Sequence, residues 1–276
     1  MQAEHLFDQN FAVSESLIQL YEMFQGLTRP QLSQQLRLAI CTEWQAPENL
    51  HVEYMVNEKV SVIARAVARV PQSLTYDGGL DFLLRQAVIV ASTSVESFYW
   101  DVLRENVLTV VRARRTNADD SIKNLKLTVG DYISAQEYED PDLRIKQVIL
   151  KNFERGTLYT HQSIDDIAKI LTVRTFWNDI EPICGEKSEI LKKHIGDLIT
   201  RRNQIAHRAD RPVDGEEADA HGLRPIQLAW TNMRIQSAKT LVKASVAVFK
   251  KAIERLEQDI ETSREHELAK RAASRK

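Results

Sequence analysis

The chain has 276 residues, of which 43% are hydrophobic and 28% charged, and its formal net charge is -2. That length fits one large domain or two small ones, and the mix is that of an ordinary globular protein. The near-neutral charge excludes a global basic field, so any nucleic-acid contact must come from a local patch whose affinity falls with salt.

Glycine (9) and proline (7) are scarce, which disfavours a turn-rich β protein and favours long helices. Two cysteines, Cys41 and Cys184, lack both the density of a secreted disulfide scaffold and the spacing of a zinc site. They fit a reducing cytoplasm. The longest apolar run, residues 87–91, is far too short to span a membrane, and no membrane partner is expected. Met1-Gln2-Ala3-Glu4-His5 lacks a basic region and an apolar core, which predicts no signal peptide.

Helical periodicity dominates from the start of the chain. Phe7, Phe11, Ser14, Ile18, Tyr21 and Met23 fall along one helical face, and Gly26 and Pro30 end that helix. A second helix is predicted over about 31–44, stopping near Pro47. A third is predicted over about 50–70, with Val52, Val56, Val60, Ile63, Val67 and Val70 as its stripe and Pro71 closing it. Tyr76-Asp77-Gly78-Gly79 is a break, and it separates an expected N-terminal helical extension, 1–77, from the main bundle, 78–263.

Residues 80–111 are the strongest helix, with Leu80, Leu84, Ala87, Ala91, Val95, Phe98 and Val102 in a wide stripe suited to a bundle centre. Arg112-Ala113-Arg114-Arg115 at its end either complements the helix C-terminus or forms an RNA-facing patch. A short helix or turn is predicted over 129–135, and shorter helices over 142–155, 164–171 and 176–180. His161 with Asp165 and Asp166 has helical spacing but no further metal-ligand partner, and reads as surface. A helix over 188–209 follows, then a polar, mobile loop over 211–223. The last helix runs from Pro225 to about Thr262, with Ile226, Ala229, Trp230, Met233, Ser237, Leu241, Ala244, Val248, Ala252 and Leu256 in its stripe. The charged tail, 264–276, is its fraying end.

The chemistry concentrates in Arg201-Arg202-Asn203-Gln204-Ile205-Ala206-His207. An arginine can fork onto phosphate oxygens, and histidine exchanges a proton near neutral pH. Together they are a minimal kit for cutting a phosphodiester without metal or cofactor. The apolar stripe of this helix runs through 191, 195, 198, 202 and 205, so Arg202 holds a position that the pattern would give to leucine. A guanidinium there must be paired or line a wet cleft. Arg201 falls off the stripe and reads as solvent-facing. Asn203 and His207 share a face, whereas Arg202 and His207 are about 140° apart on an ideal helix. The two converge on one ligand only if the arginine reaches round or the helix loosens near its end; alternatively, they serve different copies of a symmetric site.

The stretch 201–211, RRNQIAHRADR, resembles the signature of HEPN domains of the RiboL-PSP type, an Arg-(Asn/Asp/His)-x3-His core followed by an acidic residue and a polar loop. The helix LLRQAVIVASTSVESF, 83–98, is similar to that family's first core helix, and 160–177 to its connecting region. The resemblance covers roughly 78–262. It implies an all-α HEPN bundle that dimerises and cuts RNA without metal. His207 would act as the acid/base that helps the ribose 2′-OH attack the adjacent phosphate. Arg202 would bind the scissile phosphate, and Asn203 would orient the phosphate or His207. Glu96 would either pair with Arg202 or stand as an exposed helix acid. Arg201, Arg208 and Arg211 are the expected RNA-backbone contacts, although Arg208, Asp210 and Arg211 also fit a solvated loop. The implied setting is a toxin or antiviral defence effector with an antitoxin or defence-system partner. The competing class is a catalytically silent dimer that binds RNA or protein.

Overall fold

The computed structural model describes residues 1–65, 68, 70–114, 128–153 and 160–274, with only the backbone of Asn152. The expected positions Val67, Arg115 and Arg155 lie outside the described residues. The described residues are mostly helical, with nine α-helices and one two-stranded sheet among them. It is an all-α fold. The helices are α1 (Gln2–Phe24), α2 (Gln34–Glu43), α3 (Asp81–Arg114), α4 (Val129–Glu137), α5 (Pro141–Phe153), α6 (His161–Ile170), α7 (Phe176–Cys184), α8 (Ser188–Arg208) and α9 (Leu228–Ala273). No helix among the described residues is long and apolar enough to cross a membrane.

Residues 1–11, 90–201 and 233–276 form one compact unit, and residues 12–89 and 202–232 form the other. The division cuts through α1, α3, α8 and α9 rather than following chain order.

The first unit is built on aromatic rings. Phe7 packs on Phe11 and edge-on to Phe98, while Phe249 stacks on Phe176 and meets Tyr99 edge-on. All six rings are buried. Tyr99 brings a hydroxyl into this core, and Ser245 Oγ meets it at 2.8 Å. Burial pushes the Tyr99 hydroxyl pKa up, so it stays a neutral hydrogen-bonding group. At the rim, Lys250 donates to Glu4 at 2.9 Å and Lys243 to Asp8 at 2.8 Å, which tie the first turns of α1 to α9. Asp165 and Asp166 both pair with Lys169, so these carboxylates serve α6 itself.

Helix α6 ends in a left-handed cap at Thr172, φ +68°. The Val173 amide donates to Ala168 O and the Thr172 amide to Lys169 O, satisfying carbonyls of the last turn. A β-branched residue is strained in that conformation, at a cost of about 1–2 kcal/mol. Thr172→Gly is therefore expected to stabilise the protein by about 1 kcal/mol after the greater freedom of glycine in the unfolded chain is set against the relief. The urea midpoint checks this.

The second unit holds the largest departure from the sequence reading. Residues 50–70 do not form a third helix. Val52–Val56 (β1) and Ser61–Arg65 (β2) pair antiparallel, from Val52 opposite Arg65 to Val56 opposite Ser61. The valines that matched a helical stripe are β-branched and favour a strand, and the segment carries its own turn. Asn57 Oδ1 accepts from the amides of Lys59 and Val60, both at 2.8 Å, and closes the hairpin. Its Nδ2 donates to Met23 O and Gln25 O, anchoring that turn to the end of α1.

Three smaller expectations also fail. Met23, Ala229 and Met233 are exposed rather than part of their helical stripes. The break at 76–79 is a tight turn with Gly78 at φ +69°. At Gly79 a side chain would collide with the Ser73 carbonyl.

Candidate functional site

Helix α8 buries Leu191, Ile195 and Leu198 along one stripe, and the next stripe position is Arg202, which is half-buried. Arg202 Nη1 donates to Asn203 Oδ1 at 3.0 Å. Asn203 thus helps fix the guanidinium at the point where the apolar stripe gives out. His207 lies in the last turn and is exposed, as are Arg208 and Arg211. Because α8 stays helical through Arg208, Arg202 and His207 sit about 140° apart around it and about 7.5 Å apart along it. Arg201 is half-buried rather than solvent-facing. Glu96 is half-buried on α3, in the first unit, whereas Arg202, Asn203 and His207 belong to the second.

Arg208 and Arg211 are solvated, but Asp210 between them is not. Ala209 (φ +49°) and Asp210 (φ +58°) both adopt the left-handed conformation, and the Asp210 amide donates to Gln204 O at 3.1 Å. Two consecutive non-glycine residues there cost free energy and persist only where their surroundings enforce them. The enforcement is visible. Asp210 is 1% exposed, and its carboxylate accepts from Arg85 Nε at 2.7 Å. Arg85 Nη2 donates to Asp219 Oδ2 at 3.0 Å and to Arg224 O at 2.9 Å. The Arg224 amide returns to Asp210 O at 2.9 Å, and its guanidinium pairs with Glu216. The loop expected to be mobile is therefore folded around one buried guanidinium.

Asp219 also accepts from the amides of His221 and Leu223. Burial works against its ionised form, but those two amides and Arg85 hold its carboxyl below the usual carboxylate range. Its neighbour Asp81 shows the opposite balance. Burial pushes the Asp81 carboxyl up against the pull of Arg85, with Asp219 and Asp77 adding to the rise.

The sign for Asp219 is set by its lowered pKa. Its contribution to stability is present above the unfolded carboxylate pKa and is lost as pH falls through the folded value. Between neutral pH and the lower end of the carboxylate range, Asp219→Asn is expected to lose less stability than the wild type. Urea midpoints measured across that range test the difference.

Sequence reasoning took Arg85 as part of a helix and placed Asp210 in a solvated loop, so it missed their pairing. The available signal was the one that singled out Arg202, a guanidinium inside an apolar run, here between Leu84 and Ala87. No group of three or more His, Cys, Asp or Glu among the described residues is arranged to hold a metal ion.

The family model described as RiboL-PSP-HEPN matches residues 61–233. The chain belongs to this family. The match begins at β2 and so includes part of the N-terminal segment that the sequence reading left outside the resemblance. No curated protein and no solved structure matched the chain.

Proposed function

We propose that this protein is a metal-independent endoribonuclease that works as a homodimer, its Arg202–His207 motifs meeting across a shared cleft. The observation that carries this reading is the placement of the family motif. His207 is exposed on a helix end held by a buried ion-pair cluster, and Arg202 is oriented by Asn203. His207 would serve as acid/base for attack of the 2′-OH on the adjacent phosphate, leaving a 2′,3′-cyclic or 3′-phosphate and a 5′-OH. Arg202 would bind the scissile phosphate and offset the charge that builds in the transition state. Asn203 would keep the arginine aimed. Arg201, Arg208 and Arg211 would contact the RNA backbone.

The angle between the two groups argues for a dimer. Groups about 140° apart on one helix serve one phosphate most simply when the partner copy supplies one of them. The setting would be cytoplasmic, in a toxin or antiviral defence system with an antitoxin or other partner protein.

The test is incubation of the wild type and His207→Ala with total RNA in EDTA, with product ends mapped. Cutting by the wild type alone supports the reading. Intact RNA with the wild type under activating conditions, or equal cutting by both, favours a silent RNA- or protein-binding dimer. Sedimentation of a monomer only, at micromolar concentration, would remove the shared cleft.

A further inference from the structure

The first unit contains a cavity of about 490 Å³ between the turn that joins α6 to α7 and one face of α9. No residue of the Arg-x4-His motif lines it. Three cations do: Arg174 from the turn, and Lys251 and Arg255 from α9. Lys251 and Arg255 are four residues apart, so their side chains leave the same helix face. All three are exposed, and none makes an ion pair among the described residues. The sole acid in the lining, Asp179, accepts from the Thr175 hydroxyl at 3.0 Å. The lining therefore carries an excess of two positive charges over one concave surface.

Two further observations point the same way. The N-terminus of α7 also opens here, adding the positive end of a helix dipole. Val248 and Ala252, beside Lys251 and Arg255 on α9, and Pro182 and Ile183 on α7 add apolar surface of the kind a ribose or base covers.

We propose that this cavity binds the phosphate of a nucleotide, with Arg174, Lys251 and Arg255 as its charge-assisted donors. Arginine forks match a tetrahedral oxyanion, and a divalent group balances the excess charge better than a carboxylate does. No residue of the motif belongs to the site, so the proposal holds whether or not His207 cuts RNA.

The phosphate could come from a free nucleotide or from an RNA strand, and two probes separate these. Inorganic pyrophosphate is titrated calorimetrically into the full chain, and a labelled 2′-O-methyl oligonucleotide, which cannot be cleaved, is followed by anisotropy. The double variant Lys251→Glu/Arg255→Glu is expected to weaken binding by about tenfold or more, and Arg174→Ser by less. A control with the same charge change, Lys187→Glu/Lys193→Glu, is expected to bind as the wild type does. Pyrophosphate binding that the oligonucleotide does not displace identifies a free nucleotide, and mutual competition identifies a strand. The proposal is overturned if neither probe saturates at low salt, or if the double variant binds both with wild-type affinity. Should the double variant melt early, unchanged binding by Arg174→Ser overturns it instead.

Discussion

His207→Ala is expected to lower the rate of RNA cleavage by about 10²- to 10⁴-fold, the range that a positioned acid/base contributes. The same substitution is expected to leave the thermal midpoint nearly unchanged, because His207 is exposed and no hydrogen bond to its side chain is part of the cluster behind it. The combination matters more than either result. A loss of cutting in a protein that still melts as the wild type does places the defect in chemistry. Arg202 offers a second arm. Arg202→Lys keeps the charge but loses the planar fork that donates to Asn203 and, on the proposed reading, would grip a phosphate. It should cut more slowly than the wild type and faster than Arg202→Ala. Equal rates for the lysine and alanine variants would mean that charge at this position does not reach the scissile phosphate.

Arg85→Met is expected to cost about 3–5 kcal/mol of stability, the loss typical of removing one partner from a buried ion pair. The methionine fills much of the same volume, so the effect isolates the charge and its hydrogen bonds. Asp210, 1% exposed, would keep its carboxylate in a buried place without the cation that faces it. Asp219 and the Arg224 carbonyl would lose their shared donor at the same time. Asp210→Asn should cost less, because asparagine tolerates the left-handed conformation and Arg85 keeps Asp219. Denaturant midpoints rank the three proteins. On the proposed reading cleavage should also fall in Arg85→Met, because the cluster would position the helix end that carries His207 rather than contact the reacting atoms. Its readout differs from that of His207→Ala because activity and stability fall together. A variant as stable as the wild type would show that the turn after α8 stands without the cluster.

The helices were legible wherever their periodicity ran long. Residues 80–111 and 188–209 match α3 and α8 to within a few residues, because more than four turns of apolar spacing leave no competing period. The hairpin at Val52–Val56 and Ser61–Arg65 was not legible. Valines spaced four apart satisfy a helical stripe and a strand equally well, and the Asn57 turn that decides between them lies inside the segment. At the site, Arg202 stood out as a charge in an apolar stripe, and it is half-buried as that position requires. Arg201 was misplaced because a helix wheel does not show which neighbours cover its flank.

The sequence alone was enough for an all-α chain, its Arg-Asn-x3-His motif and its family, since these depend on local spacing and on residues adjacent in the chain. Tertiary structure decided what holds the motif. Arg85 and Asp210 are 125 residues apart, and Asp219 lies further on. A guanidinium and a carboxylate that look solvated in isolation can be buried only in each other's company, because the desolvation of each is offset by the other. That pairing appears in no window of the sequence. It turns a polar loop into a fixed turn, with His207 at its edge.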